Sequence, residues 1–236
     1  MSKNKLAKLL TDTLPSGLPT LFNPWRDNCA DDEPCNGPDA KLARLAAHLD
    51  CDPEFILCGE APGYLGCRHS GIAFTSERLL LSGKIPRIPP MSQRLTCRAL
   101  PYSEPSATIV WKTLYSLGIE TRTLLWNALQ MHPHKPGNNQ SNRTPTSAEI
   151  AMGKPALQML VAAFPSAKIV AVGKKSEWLL NTMCVIPVAT VRHPANGGAT
   201  AFAKGIELLI GGPPARTSVV QSGFNWKGKT QASQIK

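Results

Sequence analysis

Beyond residue 39 the chain switches repeatedly between two spacings of apolar residues. Leu42, Leu45, Ala46 and Leu49 recur at helical spacing after Asp39, a residue suited to cap a helix start. Phe55-Ile56-Leu57-Cys58 is then an unbroken apolar run closed by Gly59, as expected of a strand buried on both faces. The pattern predicts a helix over 106–117 that stops at Gly118, then a strand over 123–126. A long helix over 147–164, a strand over 169–172, a helix over 176–183 and a strand over 188–191 follow. The closing helix carries Ala199, Phe202, Ala203, Ile206 and Leu209 on one stripe, and Pro155 is expected to kink the long helix.

Short apolar strands alternating with helices predict an α/β protein, a three-layer α/β/α arrangement around a four-stranded, mostly parallel sheet. Such sheets bind ligands beyond the carboxyl ends of their strands. The unusual polar residues fall there: Gly59-Glu60-Ala61-Pro62-Gly63 after the first strand, Asn127 after the second, His193-Pro194 after the fourth. Two segments leave this frame. Residues 82–104 hold Lys84, Arg87, Arg94 and Arg98 against the single acid Glu104, with prolines at 86, 89, 90 and 101, and read as an ordered basic insertion without helix. Residues 213–236 carry Arg216, Lys227, Lys229 and Lys236 and no acid, and read as a mobile basic tail. The expected organisation is a helical and loop extension over 1–38, one domain over 39–212, and that tail.

Composition narrows the class. At 236 residues and 42% hydrophobic content the chain can bury a sizeable core without staples. No apolar run approaches the roughly 18 residues of a membrane span, and the first ten residues lack the pattern of a secretory signal. Seven cysteines, odd in number and irregular in spacing, favour reduced thiols in a cytoplasm. Extracellular, membrane and disulfide-scaffold classes are therefore excluded. The charge points to partners: 26 Lys and Arg against 16 Asp and Glu give a net +10. Nucleic acid is the first partner such a balance suggests, an acidic membrane surface the second, and a merely basic enzyme remains open.

Singly, the motifs are weak. In order along the chain they are specific: GEAPG at 59–63, Gly71-Ile72-Ala73-Phe74, Asn127, Asn142-Arg143-Thr144-Pro145-Thr146, and His193-Pro194. This set resembles the uracil-DNA glycosylase superfamily over roughly 40–211, and Pro24-Trp25-Arg26-Asp27 resembles a bacterial branch of it. The resemblance implies an enzyme that hydrolyses the N-glycosidic bond of an aberrant pyrimidine flipped from DNA, leaving an abasic site, with uracil as the default. It implies that His193 donates to the pyrimidine O2, that Asn127 reads the base edge, and that Phe74 stacks on its face. Gly59, Ala61, Pro62, Gly63 and Tyr64 would complete the base pocket. Glu60 is the candidate for handling water, because Ala61 stands where many members carry Asp or Asn.

Two departures suggest another substrate. Gly63 stands where uracil-strict members place a Tyr that blocks C5, and Ala195-Asn196-Gly197-Gly198 offers no apolar wedge. A bulky 5-substituted cytosine of phage DNA, hydroxymethylated or glucosylated, fits these departures, as does a preference for single strands or weakened duplex. A non-catalytic DNA-binding protein and a small-molecule nucleotide hydrolase are the readings of other classes. Backbone phosphates are assigned to Arg68, Lys84, Arg87, Arg94, Arg98, Lys135, Arg143, Arg192 and Asn196, with salt-dependent affinity. No cofactor is expected: Met131 stands where the iron–sulfur branch places a thiolate, Cys58 and Cys184 read as core residues, and His132 and His134 lack zinc companions. The chain is expected to be a monomer.

Overall fold

The computed structural model describes residues 1–211, so the basic tail over 213–236 lies outside the described residues. In chain order the elements are α1 (Lys3–Asp12), β1 (Leu21–Phe22), α2 (Pro38–His48), β2 (Phe55–Gly59), α3 (Cys67–Ser70), α4 (Glu77–Leu81) and α5 (Pro105–Ser116). They continue with β3 (Thr123–Asn127), β4 (His132–Pro133), α6 (Ser147–Ala163), β5 (Lys168–Val172), α7 (Lys174–Thr182), β6 (Ala189–Val191) and α8 (Ala199–Leu209). The central sheet has the order β3-β2-β5-β6 and every pairing in it is parallel. β1 and β4 form a separate antiparallel pair.

Strand residues alternate between two cores. Ile56, Cys58, Leu124, Trp126, Ile169 and Ala171 enter one with α1, α2, α6 and α7. Phe55, Leu57, Leu125, Val170 and Val172 enter the other with α4, α5 and α8. Both faces of β2 and β3 are thus covered, which is why these strands read as continuous apolar runs. Each fully buried large apolar side chain contributes about 1.5–3 kcal/mol. α1 is tied into the first core through Leu6, Ala7 and Leu10.

Local sequence signals explain the ends. α6 opens on a capping box in which Thr146 accepts from the Glu149 amide and Glu149 accepts from the Thr146 amide. α6 runs through Pro155 as one helix. α2 starts at Pro38 with Gly37 as its cap, so Asp39 sits in the first turn instead of preceding it. Residues 82–104 contain no helix, as their prolines imply. Cys58 is buried, but Cys184 is exposed in a left-handed turn, which corrects its reading as a core residue.

Candidate active-site cleft

A cleft of about 1300 Å³ opens beyond the carboxyl ends of the parallel strands. Its walls come from the loop after β2 (Glu60, Ala61, Pro62, Gly63), the end of β3 (Asn127), the β5–α7 turn (Gly173, Lys174, Lys175) and the loop after β6 (Arg192, His193, Ala195, Asn196). Phe74, Glu104, Asn142, Arg143 and Thr144 complete it. Glu60, Asn127, His193 and Phe74 therefore share one cavity.

The sheet register sets the floor. Gly59 pairs with Asn127 across β2 and β3. A Cβ at Gly59 would stand 2.6 Å from the Phe74 ring and 2.7 Å from Asn127 Oδ1, so only glycine lets the ring and the carboxamide close over the strand. Phe74 itself adopts φ 49°, a left-handed conformation that costs an aromatic residue on the order of 1–3 kcal/mol. Its ring lies 6.1 Å from that of His193.

The polar groups at the floor are poised. Asn127 is 5% exposed, yet its carboxamide makes no hydrogen bond among the described residues and faces the cleft. Its donor and acceptor open onto the cleft and stay available to a ligand there. The Ala195 amide donates to His193 Nδ1 at 3.2 Å, so the proton of the neutral ring sits on Nε2 and makes that nitrogen a donor. Burial and then Arg192 hold the His193 pKa below its ordinary value, which keeps the ring neutral. Glu60 faces Lys175 at 3.6 Å and keeps partial exposure, a weak pairing that leaves its carboxylate available.

Beside Gly63 the cleft wall is polar. A Cβ there would meet Asn142 Nδ2 at 3.6 Å and Glu104 Oε1 at 4.0 Å. Gly66 admits Glu104, since any side chain at 66 would collide with its carboxylate. Burial raises the Glu104 pKa, and Ser106 donates to it at 2.8 Å. Asn142 Oδ1 accepts from the Tyr64 amide and from His132 Nε2, both at 3.1 Å, and its NH2 is unspent among the described residues. Glu104 and Asn142 are functional candidates that sequence reasoning did not assign. The one signal for Glu104 was its solitude as an acid in the basic insertion.

Several expected contacts are placed elsewhere. Tyr64 does not line the cleft with its side chain. Arg68 is 3% exposed, with Nη1 on His132 Nδ1 at 3.1 Å, Nη2 on Cys29 Sγ at 3.7 Å, and its guanidinium 3.8 Å over Phe22. It positions His132, and hence Asn142, and cannot reach a phosphate. Arg87 donates to the His48 and Thr121 carbonyls near the opposite, amino end of the sheet. Arg94 is held by Glu77 and the Arg98 carbonyl, and Arg98 lies over Tyr102. Lys84 and Lys135 also fall outside the cleft lining. Arg143 lines it, but its guanidinium is bidentate to Glu149 and donates to Thr20 and the His134 carbonyl. Arg192 and Asn196 are exposed on the rim, joined by Lys174 and Lys175, which the sequence reading had not singled out.

Metal-type donors converge among the described residues at Cys29, Asp32 and His69, outside the cleft lining. His132 is buried with its pKa driven to about 3 by burial and then Arg68, as a structural imidazole. No helix among the described residues is long and apolar enough to cross a membrane.

The family model for the Uracil DNA glycosylase superfamily matches residues 47–225. No curated protein matches the chain. Among solved structures, SMUG2 of Pedobacter heparinus is similar with a TM-score of 0.60 at 13% identity, covering 89% of this chain and 99% of that one. At that identity the likeness concerns the fold.

Proposed function

The chain belongs to the uracil-DNA glycosylase superfamily, and on that premise we propose that it hydrolyses the N-glycosidic bond of an aberrant pyrimidine flipped out of DNA. The observation that carries the reading is the Asn127 carboxamide at the end of β3, which makes no protein hydrogen bond among the described residues and opens onto the cleft. Its donor and acceptor match the edge of a pyrimidine. Phe74 supplies a face for stacking, and His193 Nε2–H supplies a donor for the oxygen on which negative charge grows as the base departs. The bond between sugar and base breaks, and water forms the new bond to the sugar. Glu60 orients that water and takes its proton. The products are free base and an abasic site, as in a repair glycosylase. Lys174, Lys175 and Arg192 set a positive rim for the strand that carries the base.

The wall beside Gly63 favours a second substrate. Asn142 Nδ2 and the Glu104 carboxyl, raised in pKa by burial, offer hydrogen bonds to a hydroxylated substituent at C5. A hydroxymethylated or glucosylated cytosine would use them, and the enzyme would then act against phage DNA. The small residues from Ala195 to Gly198 suit single strands or weakened duplex, because they cannot pry a stable pair apart.

The test measures abasic sites and released bases on oligonucleotides carrying uracil, 5-hydroxymethylcytosine or glucosylated cytosine, single-stranded and paired. Release by the wild type with a loss of 10²-fold or more in Asn127→Ala is expected, by analogy with removal of a preorganised donor. Release of uracil alone removes the second substrate. Release of no base at all, or full activity in the variant, refutes the glycosylase reading.

A further inference from the structure

Away from the cleft lining, three side chains from separate segments meet. Cys29 comes from the loop after β1, Asp32 from the turn that precedes Pro34–Asn36, and His69 from α3, with ligating atoms within 4.8 Å of one another. His69 Nδ1 is 2.7 Å from Asp32 Oδ1, and the imidazole nitrogen and the Cys29 sulfur lie within 4.8 Å of each other. Tyr102 stacks on that ring at 4.4 Å and 9°, which fixes its plane. A thiol, a base beside it and a carboxylate that orients the base form the arrangement that activates a nucleophilic cysteine.

The surrounding charges agree. Groups facing the sulfur are His69, Arg68 (Nη2 at 3.7 Å), Asp32, the Asp31 backbone amide, Lys41 and Tyr102. Burial opposes the thiolate and Asp32 adds to that, but His69, Arg68 and the Asp31 amide outweigh them, and the Cys29 pKa is lowered. Burial also opposes a charged His69, yet Asp32 and Cys29 raise its pKa. By contrast, burial pushes the thiols of Cys51 and Cys58 upward. Cys29 keeps partial exposure, so a small reagent reaches it. The same three donors are also of the type that ligates a metal. However, Lys41 Nζ already holds Asp32 Oδ2 and Arg68 already holds the sulfur, and a cation would have to displace or sit beside both.

We propose that Cys29 is a nucleophilic thiol, activated by His69 and Asp32, and a site of reversible oxidation by hydroperoxides. The sulfur lone pair attacks one peroxide oxygen; the S–O bond forms as the O–O bond breaks. The departing hydroxide takes the proton held by His69 and leaves as water. Sulfur is oxidised by two electrons to the sulfenic acid and the peroxide is reduced.

The test uses the full-length protein, with peptide mass spectrometry of two reactions. Iodoacetamide alkylation is followed from pH 5.5 to 8.5, and dimedone trapping follows one equivalent of hydrogen peroxide at pH 6. Cys35 and Cys184, both exposed, are the internal comparison. The rise of Cys29 alkylation with pH is expected to level off at a lower pH than that of Cys35 and Cys184, and below pH 7 Cys29 should react faster than either. Dimedone is expected on Cys29 at ten times or more its level on the other two. His69→Gln should slow Cys29 about tenfold at pH 6. Because that change also loosens packing, the wild-type pH profile decides by itself. A Cys29 profile parallel to those of Cys35 and Cys184 overturns the proposal. Protection of Cys29 by one equivalent of zinc overturns it as well, in favour of a metal site.

Discussion

The cleft and the basic insertion over 82–104 both gather polar side chains, and they use them in opposite ways. In the cleft, Asn127 and the Asn142 NH2 are unspent among the described residues, Glu104 has only a serine partner, and Phe74 is held in a strained conformation. In the insertion, Arg87 and Arg94 are consumed by carbonyls and by Glu77, which is fully buried. Glu77 accepts from Arg94, Thr96 Oγ1 and the amides of Leu95, Thr96 and Tyr102. Net charge marks both regions alike; spare hydrogen-bonding capacity marks only the first as a place for a ligand.

Acidification should have the largest effect and should strike both regions alike, each resting on one buried neutral histidine. His48 beneath Arg87 and His132 beneath Arg68 are both buried neutral, with pKa values driven to about 3 by burial and then by those guanidiniums. The unfolded chain protonates them near pH 6.5, so it binds more protons than the native state as pH falls from there to 3. Their contribution is complete above pH 6.5 and drains at roughly 2.7 kcal/mol per pH unit for the pair. His69, with its raised pKa, acts in the opposite sense, contributing below pH 6.5 and losing that contribution as pH rises through its native value. Urea midpoints measured from pH 7 to 4 should fall steeply; a level response would mean water reaches both rings.

Arg94→Ala is expected to cost about 2–4 kcal/mol of stability, because Glu77 stays buried with its charge partner gone. Its DNA affinity at fixed salt should not change, which binding and thermal unfolding on the same preparation can establish. A tenfold loss of affinity with stability intact would return the insertion to the DNA interface. Arg192→Ala, at the exposed rim, should do the reverse on a smaller scale. Stability should hold within about 0.5 kcal/mol, while the slope of log affinity against log salt should fall by about 1.

The fold was legible because its strands are buried on both faces, which writes them as plain apolar runs such as Phe55 to Cys58. Asn127 and His193 were legible as well, since parallel topology delivers strand ends to one edge. What stayed hidden depends on who partners whom. Arg68 reads as a surface cation in sequence, and only the docking of α3 against Phe22 and His132 buries it. Arg94 reads as a phosphate ligand until Glu77, 17 residues away, is seen to claim it. Glu104 enters the cleft because Gly66 makes room, a relation that no periodicity records. Cys29, Asp32 and His69 were likewise invisible as a group, because two of them belong to a loop without regular pattern.

The left-handed backbone of Phe74 has a bearing on speed. Under the proposed function the Phe74 ring is set in place before any strand arrives and needs no rearrangement on encounter, so capture of an extruded base should be limited by how often the base leaves its helix. Relaxing that one torsion would hand the protein a second slow step of its own.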